Sequence, residues 1–259
     1  MKAELALLAR LLTRWILALV FVTLFLFSGS FALVSWREFS LWLPVLSQST
    51  SLASQFFLHL ASTLTPAGVE LVVISPAAAF TAQVLVAFWL AFLVTLPFAL
   101  RGLLRYLTPA LRPSERRGLY FVTGSLGVLL AAGMYFSYAV VSPYTIKVLY
   151  TFTTPLGVTP LLGVSELIAT FVALTLTTAI MFTVPVGMVL LTWLRLLPAR
   201  WWREHARYAV VGFLVVSAII TPDGTGVSML LLSAPVTVLY GVGIIVSTRV
   251  ERTVGLETK

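Results

Sequence analysis

Cysteine is absent from all 259 residues, which excludes a disulfide framework, a thiolate metal site, an iron–sulfur cluster and a cysteine nucleophile. Charge is scarce as well: Asp, Glu, Lys and Arg make up 10% of the chain, against about a quarter in an ordinary soluble domain. Acids are the scarcer half, nine against seventeen bases, and only Glu166 and Asp223 lie close to the outer ends of apolar runs. A proton relay or coupled cation site needs ionisable groups near the bilayer midplane, so their shortage argues against a secondary transporter. No internal repeat relates the two halves, which argues against an inverted-repeat permease. No Gly-x-Ser-x-Gly, His-Glu-x-x-His or phosphate-loop pattern occurs, so there is no catalytic constellation and an enzyme is not expected. His59 and His205 stand in separate polar segments with no second histidine at ligand spacing, and read as solvated imidazoles, not a metal site.

What the chain has in abundance is apolar sequence. It is 59% hydrophobic with a mean hydropathy of +1.03. The runs are long and unbroken instead of alternating, which points to membrane helices and not to a barrel. At about 20 residues per span the length holds six or seven spans and no sizeable soluble domain besides. The expected fold is therefore all-α, a single polytopic membrane domain over residues 1–259, with spans at 15–34, 79–100, 119–141, 167–194, 208–220 and 227–246. Cytoplasmic loops fall at 101–118 and 195–207, and outer segments at 35–78 and 142–166. With that numbering fifteen of the seventeen Lys and Arg residues share one side, and only Arg37 and Lys147 fall on the other. The positive-inside rule then places both termini in the cytoplasm, and the net charge of +8 reports orientation, not nucleic-acid binding. Ser28-Gly29-Ser30 looks like the end of a signal peptide, but cleavage there would put the mature termini on opposite sides.

Span five is short: Tyr208 to Ile220 reaches only ~20 Å against a hydrocarbon core of ~30 Å. Either the bilayer thins there, or the Thr221-Pro222-Asp223-Gly224 turn sits below the outer surface, shielded by other helices. Pro97, Pro185 and Pro235 each remove a backbone donor and bend or end a span. In the first outer segment, Leu52–Leu64 has leucines and phenylalanines at helical spacing and reads as an amphipathic helix on the outer face. The second outer segment, with Pro143, Pro155 and Pro160, is expected to be mostly non-helical after a short helical continuation to Tyr150.

The cytoplasmic loop RGLLRYLTPALRPSERR, residues 101–117, holds five arginines and one acid, Glu115. Glu115 pairs with Arg112 or Arg116 in the plainer reading. In the sharper one it is presented to an incoming guanidinium in a two-pronged, charge-assisted pair.

Taken in order, these segments resemble the TatC family, the large receptor subunit of the twin-arginine protein translocase, from about Leu7 to Val246. The resemblance rests on Ser75-Pro76 with Phe80, on Pro97, and on Tyr106 to Arg117, which is similar to the family's aromatic-x-x-Pro-x-Leu-x-x-x-Glu-Arg-Arg loop. Tyr135, Phe136, Tyr138 and Pro143 leaving span three, Phe182-x-Val184-Pro185, Arg207-Tyr208, Thr221-Pro222-Asp223, and Pro235 with Leu239-Tyr240 complete it. It implies a TatC-like concave bundle with short helices five and six. The implied function is to bind twin-arginine signal peptides of folded precursors and to assemble with small single-span TatA/TatB-type subunits into a multi-copy hetero-oligomer. Transport would be driven by the proton-motive force, with no cofactor, in the cytoplasmic (inner) membrane of a prokaryote or an organellar or thylakoid equivalent. Carried over residue by residue, the resemblance makes Glu115, Tyr106, Pro109, Arg116, Arg117 and Arg10 the signal-peptide site, and Thr183, Pro185, Thr221, Asp223 and Met229 partner contacts. Three family acids are missing: Thr183, Ala6 and Gly241 stand in their places, and Glu4 substitutes for the second only if the helix begins differently. A paralogue that no longer reads twin-arginine signals and an unrelated six-span permease or scaffold stay open as alternatives.

Overall fold

The computed structural model describes residues 2–36, 39–46, 51–66, 68–108, 116–151, 161–221 and 226–256. In chain order these form α1 (Lys2–Ser28), β1 (Gly29–Trp36), β2 (Phe39–Leu46), α2 (Leu52–Leu64), β3 (Glu70–Val72) and α3 (Pro76–Leu107). Then come α4 (Arg116–Phe136), a π-helical turn (Ser137–Val141), α5 (Ser142–Thr151), β4 (Leu161–Gly163), α6 (Val164–Phe182), α7 (Val184–Trp193), α8 (Ala199–Glu204), α9 (Ala206–Ile220) and α10 (Val227–Leu256). Five stretches are long and apolar enough to cross a membrane: Ala9–Ser28, Pro76–Tyr106, Gly118–Thr151, Val164–Trp193 and Val227–Arg252. A sixth, Ala206–Ile220, is apolar but shorter.

Contacts group the chain into two compact units, Met1–Leu111 with Thr159–Val172, and Arg112–Val158 with Ala173–Lys259. In the first, α1 runs antiparallel to α3. Trp15 meets Phe92 edge-on at 6.2 Å and Phe27 meets Phe80 at 5.5 Å, so each step along α1 is matched by one step back along α3. Ser75 caps α3, its hydroxyl accepting from the Ala78 N–H at 3.2 Å, with Pro76 in the first helical turn. Helix α2 has the bounds expected of the amphipathic segment, and its N-cap Ser51 accepts from the Ser54 N–H. Its Phe56 stacks on Trp89 at 5.4 Å, and Trp89 in turn lies 5.3 Å from Phe171.

The first helix departs from expectation at its end. Span one was placed at 15–34, whereas α1 stops at Ser28 and the chain turns straight into an antiparallel hairpin, from Gly29↔Leu46 to Trp36↔Phe39. The switch needs glycine: a Cβ at Gly29 would collide with the Phe25 carbonyl oxygen. A second, parallel pair joins β3 to β4, Glu70↔Leu161 to Val72↔Gly163, so the predominantly helical fold also carries short strands that an all-α description leaves out.

In the second unit, α4, the π turn and α5 continue without a break to Thr151, which extends span three past 141 and takes in the helical continuation. Span four breaks where Pro185 lacks an N–H and its ring crowds the Met181 carbonyl. Thr183 closes α6 through its N–H to Ile180 O at 3.0 Å, and α7 restarts with Thr183 O accepting from Val186 N. The core gathers Val141, Leu174, Met181, Phe182, Leu232 and Val236. Helix α9 has 15 residues, about 22 Å, and is short as expected. Helix six is not short: α10 has 30 residues and continues beyond Val246 through Arg249, Glu251 and Arg252, residues with good helix propensity. The loops shrink correspondingly, because α3 runs on to Leu107 and α8 occupies part of 195–207.

Close helix approach in lipid relies on small residues. A Cβ at Gly133 would sit 2.8 Å from the Ala179 Cα, and one at Gly243 would sit 2.9 Å from Met188 Sδ and 3.2 Å from the Pro185 Cα. Gly187 has open space around it. Gly133→Val and Gly243→Val should each cost about 1–3 kcal/mol by overpacking, while Gly187→Val costs less. Thermal unfolding of the three purified variants in detergent checks this, and equal melting temperatures would refute the packing assignment.

Candidate functional site

The charged side chains of the described residues lie toward the ends of the apolar stretches or outside them. In the first unit, the antiparallel register sets Arg10 level with Pro97 and Arg14 level with Leu93, and the same end of the pair carries Arg101 and Arg105 on α3. All four arginines are exposed. Tyr106, half-buried, lies nine residues beyond the level of Arg10, about 14 Å further along the pair. The two predicted residues therefore share a helix pair and one end of it, but at different depths. Thr108 finishes α3, its hydroxyl donating to the Leu104 carbonyl at 2.6 Å. Pro109 and Glu115 lie outside the described residues, and so do the side chains of Arg116 and Arg117, which begin α4.

In the second unit the corresponding end is built from four elements. Gly118 on α4 packs on Trp193 at the end of α7, a Cβ there lying 3.1 Å from the indole. The connection from α7 to α9 folds as the single-turn helix α8, and three long-range hydrogen bonds hold it. Trp202 Nε1 donates to Thr192 Oγ1 at 3.0 Å, Tyr240 OH donates to the Trp202 carbonyl at 2.8 Å, and the Ala199 N–H donates to Glu251 Oε2 at 3.1 Å. A carboxylate from α10 thus satisfies an N–H that the start of α8 would otherwise leave open. Sequence reading missed this arrangement. Glu251, the sole acid of α10, set between Arg249 and Arg252, was the available signal. Basic residues consequently collect at one end of each unit, whereas Lys147 stands on α5, at the opposite end of the α4–α5 rod from Arg116.

Two of the five predicted partner contacts, Thr183 and Thr221, are engaged with their own helices. Thr183, half-buried, donates its hydroxyl to the Ile180 carbonyl at 2.7 Å. Pro185 is buried beside Gly243. Thr221 is 5% exposed, ends α9 and donates to the Ser217 carbonyl at 2.8 Å. Met229 is half-buried in the first turn of α10, next to Gly226 with its positive φ of 72°, and Asp223 lies outside the described residues. A Cβ at Gly241 would meet nothing within 4 Å, so the missing family acid leaves space and not a repacked contact. Among the described residues no group of His, Cys, Asp and Glu is arranged to hold a metal ion.

Comparison with known proteins adds three findings. The family model described as "Sec-independent protein translocase protein (TatC)" matches residues 5–235. Curated proteins of that name are similar along much of their length. The one from Cenarchaeum symbiosum is 34% identical over 209 residues, covering 81% of this chain and 79% of the relative. The one from Deinococcus radiodurans is 32% identical, covering 66% and 63%, and the one from Escherichia coli K12 is 29% identical, covering 70% of each. A crystal structure described as the twin-arginine translocase receptor TatC superimposes with a TM-score of 0.75 at 23% identity, covering 95% of this chain and 99% of that one.

The α8 anchors make a local prediction. Glu251→Ala and Tyr240→Phe should each speed hydrogen exchange of residues 199–207 by about tenfold, as expected from the loss of one hydrogen bond worth about 1–2 kcal/mol, and leave exchange in α6 unchanged. Uniform acceleration throughout the second unit would show that these bonds hold the whole unit and not α8.

Proposed function

The chain belongs to the TatC family of Sec-independent protein translocase proteins, multi-pass proteins of the inner membrane, and from that membership we propose that it is the receptor subunit that reads twin-arginine signal peptides. The observation that carries this is the family match across residues 5–235, which takes in the loop 101–117 with its single carboxylate. In that loop Glu115 is the acid available to a peptide guanidinium, Pro109 and Tyr106 shape its approach, and Arg116 and Arg117 set the field around it. Arg10 supplies a further polar contact from α1. A guanidinium and a carboxylate form two parallel charge-assisted bonds, which an ammonium cannot reproduce, and this is the physical basis for preferring Arg-Arg over Lys-Lys.

The receptor acts with small single-span TatA/TatB-type subunits in a multi-copy assembly, with the proton-motive force as energy source and no cofactor or nucleotide. Thr183, Pro185, Thr221, Asp223 and Met229 mark the helix surfaces that partners meet. Because Thr183 and Thr221 already bond to their own backbones, those surfaces contribute shape more than free hydrogen-bonding groups. Both termini and the arginine-rich ends of the helices face the cytoplasm, where precursors arrive.

Glu115→Gln should weaken binding of a twin-arginine signal peptide by about 10- to 100-fold, the worth of a charge-assisted hydrogen bond, without changing membrane insertion or abundance. Titrating the purified protein with a labelled signal peptide in Arg-Arg and Lys-Lys forms checks it. Equal affinity for the two forms would remove the receptor reading and favour a paralogue that has lost this recognition. Thr183→Glu tests the departure from the family: the substitution is accommodated and export of a twin-arginine reporter is kept if the family acid only tunes partner docking. Loss of folded protein would show that this helix break requires a neutral side chain.

A further inference from the structure

We propose that the connection between α7 and α9 is a binding site for an anionic phospholipid, with the α8 aromatics at headgroup level and Arg203 and Arg207 taking the lipid phosphate. The inference stands apart from signal-peptide recognition and concerns other residues.

Residues 194–205 join the ends of two apolar helices, Val164–Trp193 and Ala206–Ile220, so the segment lies at a membrane boundary. Its rings form a continuous ladder. Trp202 meets Trp201 edge-on at 4.8 Å, Trp201 stacks on His205 at 4.2 Å with planes 20° apart, and His205 lies 6.0 Å from Tyr208. The Arg207 guanidinium sits 4.8 Å above the Tyr208 ring and donates to its hydroxyl at 3.0 Å. The buried end of the ladder is fixed by the Trp202 and Tyr240 hydrogen bonds, so the exposed end is held in place before any ligand arrives. Preorganisation of this kind lowers the ordering cost of binding.

Exposure and charge identify the occupant. Leu196 is 64% exposed, Tyr208 60% and Trp201 37%, within residues 194–208, which also carry four arginines. Exposed leucine and aromatic rings interleaved with arginine fit the boundary between acyl chains and headgroups, where one part of each side chain is apolar and the other is wet. Both nearby carboxylates are engaged: Glu204 pairs with Arg200, and Glu251 accepts from the Ala199 N–H. Arg203 and Arg207, four residues apart and both exposed, are left to face outward. A guanidinium fork matches two oxygens of a phosphodiester, and an anionic headgroup brings the net negative charge that a zwitterionic one lacks. A soluble acidic peptide would match the arginines but not the exposed leucine and indole.

Native mass spectrometry of the full chain, purified in micelles doped with dioleoyl-phosphatidylglycerol or dioleoyl-phosphatidylcholine, reads the retained lipid directly. Phosphatidylglycerol should be retained at least about tenfold better, and R203Q/R207Q should reduce its affinity by about thirtyfold. R101Q/R105Q, which removes the same charge from the end of α3, should keep the preference. W201F should lower the quenching of tryptophan fluorescence by brominated phosphatidylglycerol. If R203Q/R207Q does not fold, R203K/R207K retains charge without the fork and should weaken binding by about fivefold. Equal retention of the two lipids, equal loss in both glutamine pairs, or capture of glycerol phosphate as tightly as of the lipid would each overturn the proposal.

Discussion

A backbone group in the hydrocarbon core has no water to turn to, so every polar atom in a span must be satisfied within its own helix or against a neighbour. Seven threonines meet this demand locally, whereas Thr145 Oγ1 and the hydroxyls of Ser137, Ser142 and Ser247 are buried without a hydrogen-bond partner among the described residues. Thr23, Thr95, Thr178, Thr183, Thr221, Thr237 and Thr248 each donate a hydroxyl to a carbonyl three or four residues earlier in the same helix. The break at Pro185 is resolved in the same local way, with Thr183 closing one helix and opening the next. Polarity spent on the backbone is not available to a ligand. Charged side chains of the described residues are correspondingly confined to the ends of the apolar stretches or lie outside them.

Much of this was legible in the sequence because hydropathy and helix length obey the bilayer's thickness directly. Leu52–Leu64 was placed to the residue from its apolar spacing, and the structure adds the Ser51 cap at its start. Span one was misplaced because the strand Gly29–Trp36 is as apolar as a helix, and periodicity does not separate the two over eight residues. The turn out of the helix brings the Phe25 carbonyl so close to Gly29 that only glycine fits, a steric fact that composition does not carry. Pairings far apart in the chain were equally hidden. Tyr240 and Trp202 are separated by 38 residues, Glu251 and Ala199 by 52, and only the folded arrangement brings them together. The candidate site divides along the same line: the loop with Glu115 stood out because an acid among five arginines is conspicuous, whereas α8 looked like a plain connection.

The replacement of family acids follows from the same constraint. A glutamate inside a span is costly unless a partner or water meets it. Thr183 has its own carbonyl as partner, and Gly241 has open space where an acid would need one. Both substitutions lower the membrane-embedded charge of the isolated chain.

The short fifth span shows where the remaining tension goes. Helix α9 begins one residue after α8, and α8 is tied to α10 at Ala199 and at Trp202, with the Trp202 indole also bonded to Thr192. The Ala206 end of α9 is therefore held beside α10, with Arg207 and Tyr208 exposed in its first turn. Fifteen residues reach about 22 Å, about 8 Å less than an apolar slab of ~30 Å, and with the Ala206 end held the shortfall falls toward Thr221. There the hydroxyl of Thr221 already bonds to Ser217, and Ile219 beside it is 77% exposed. A bilayer meeting that end has to thin toward it or be replaced by a protein surface that covers Thr221.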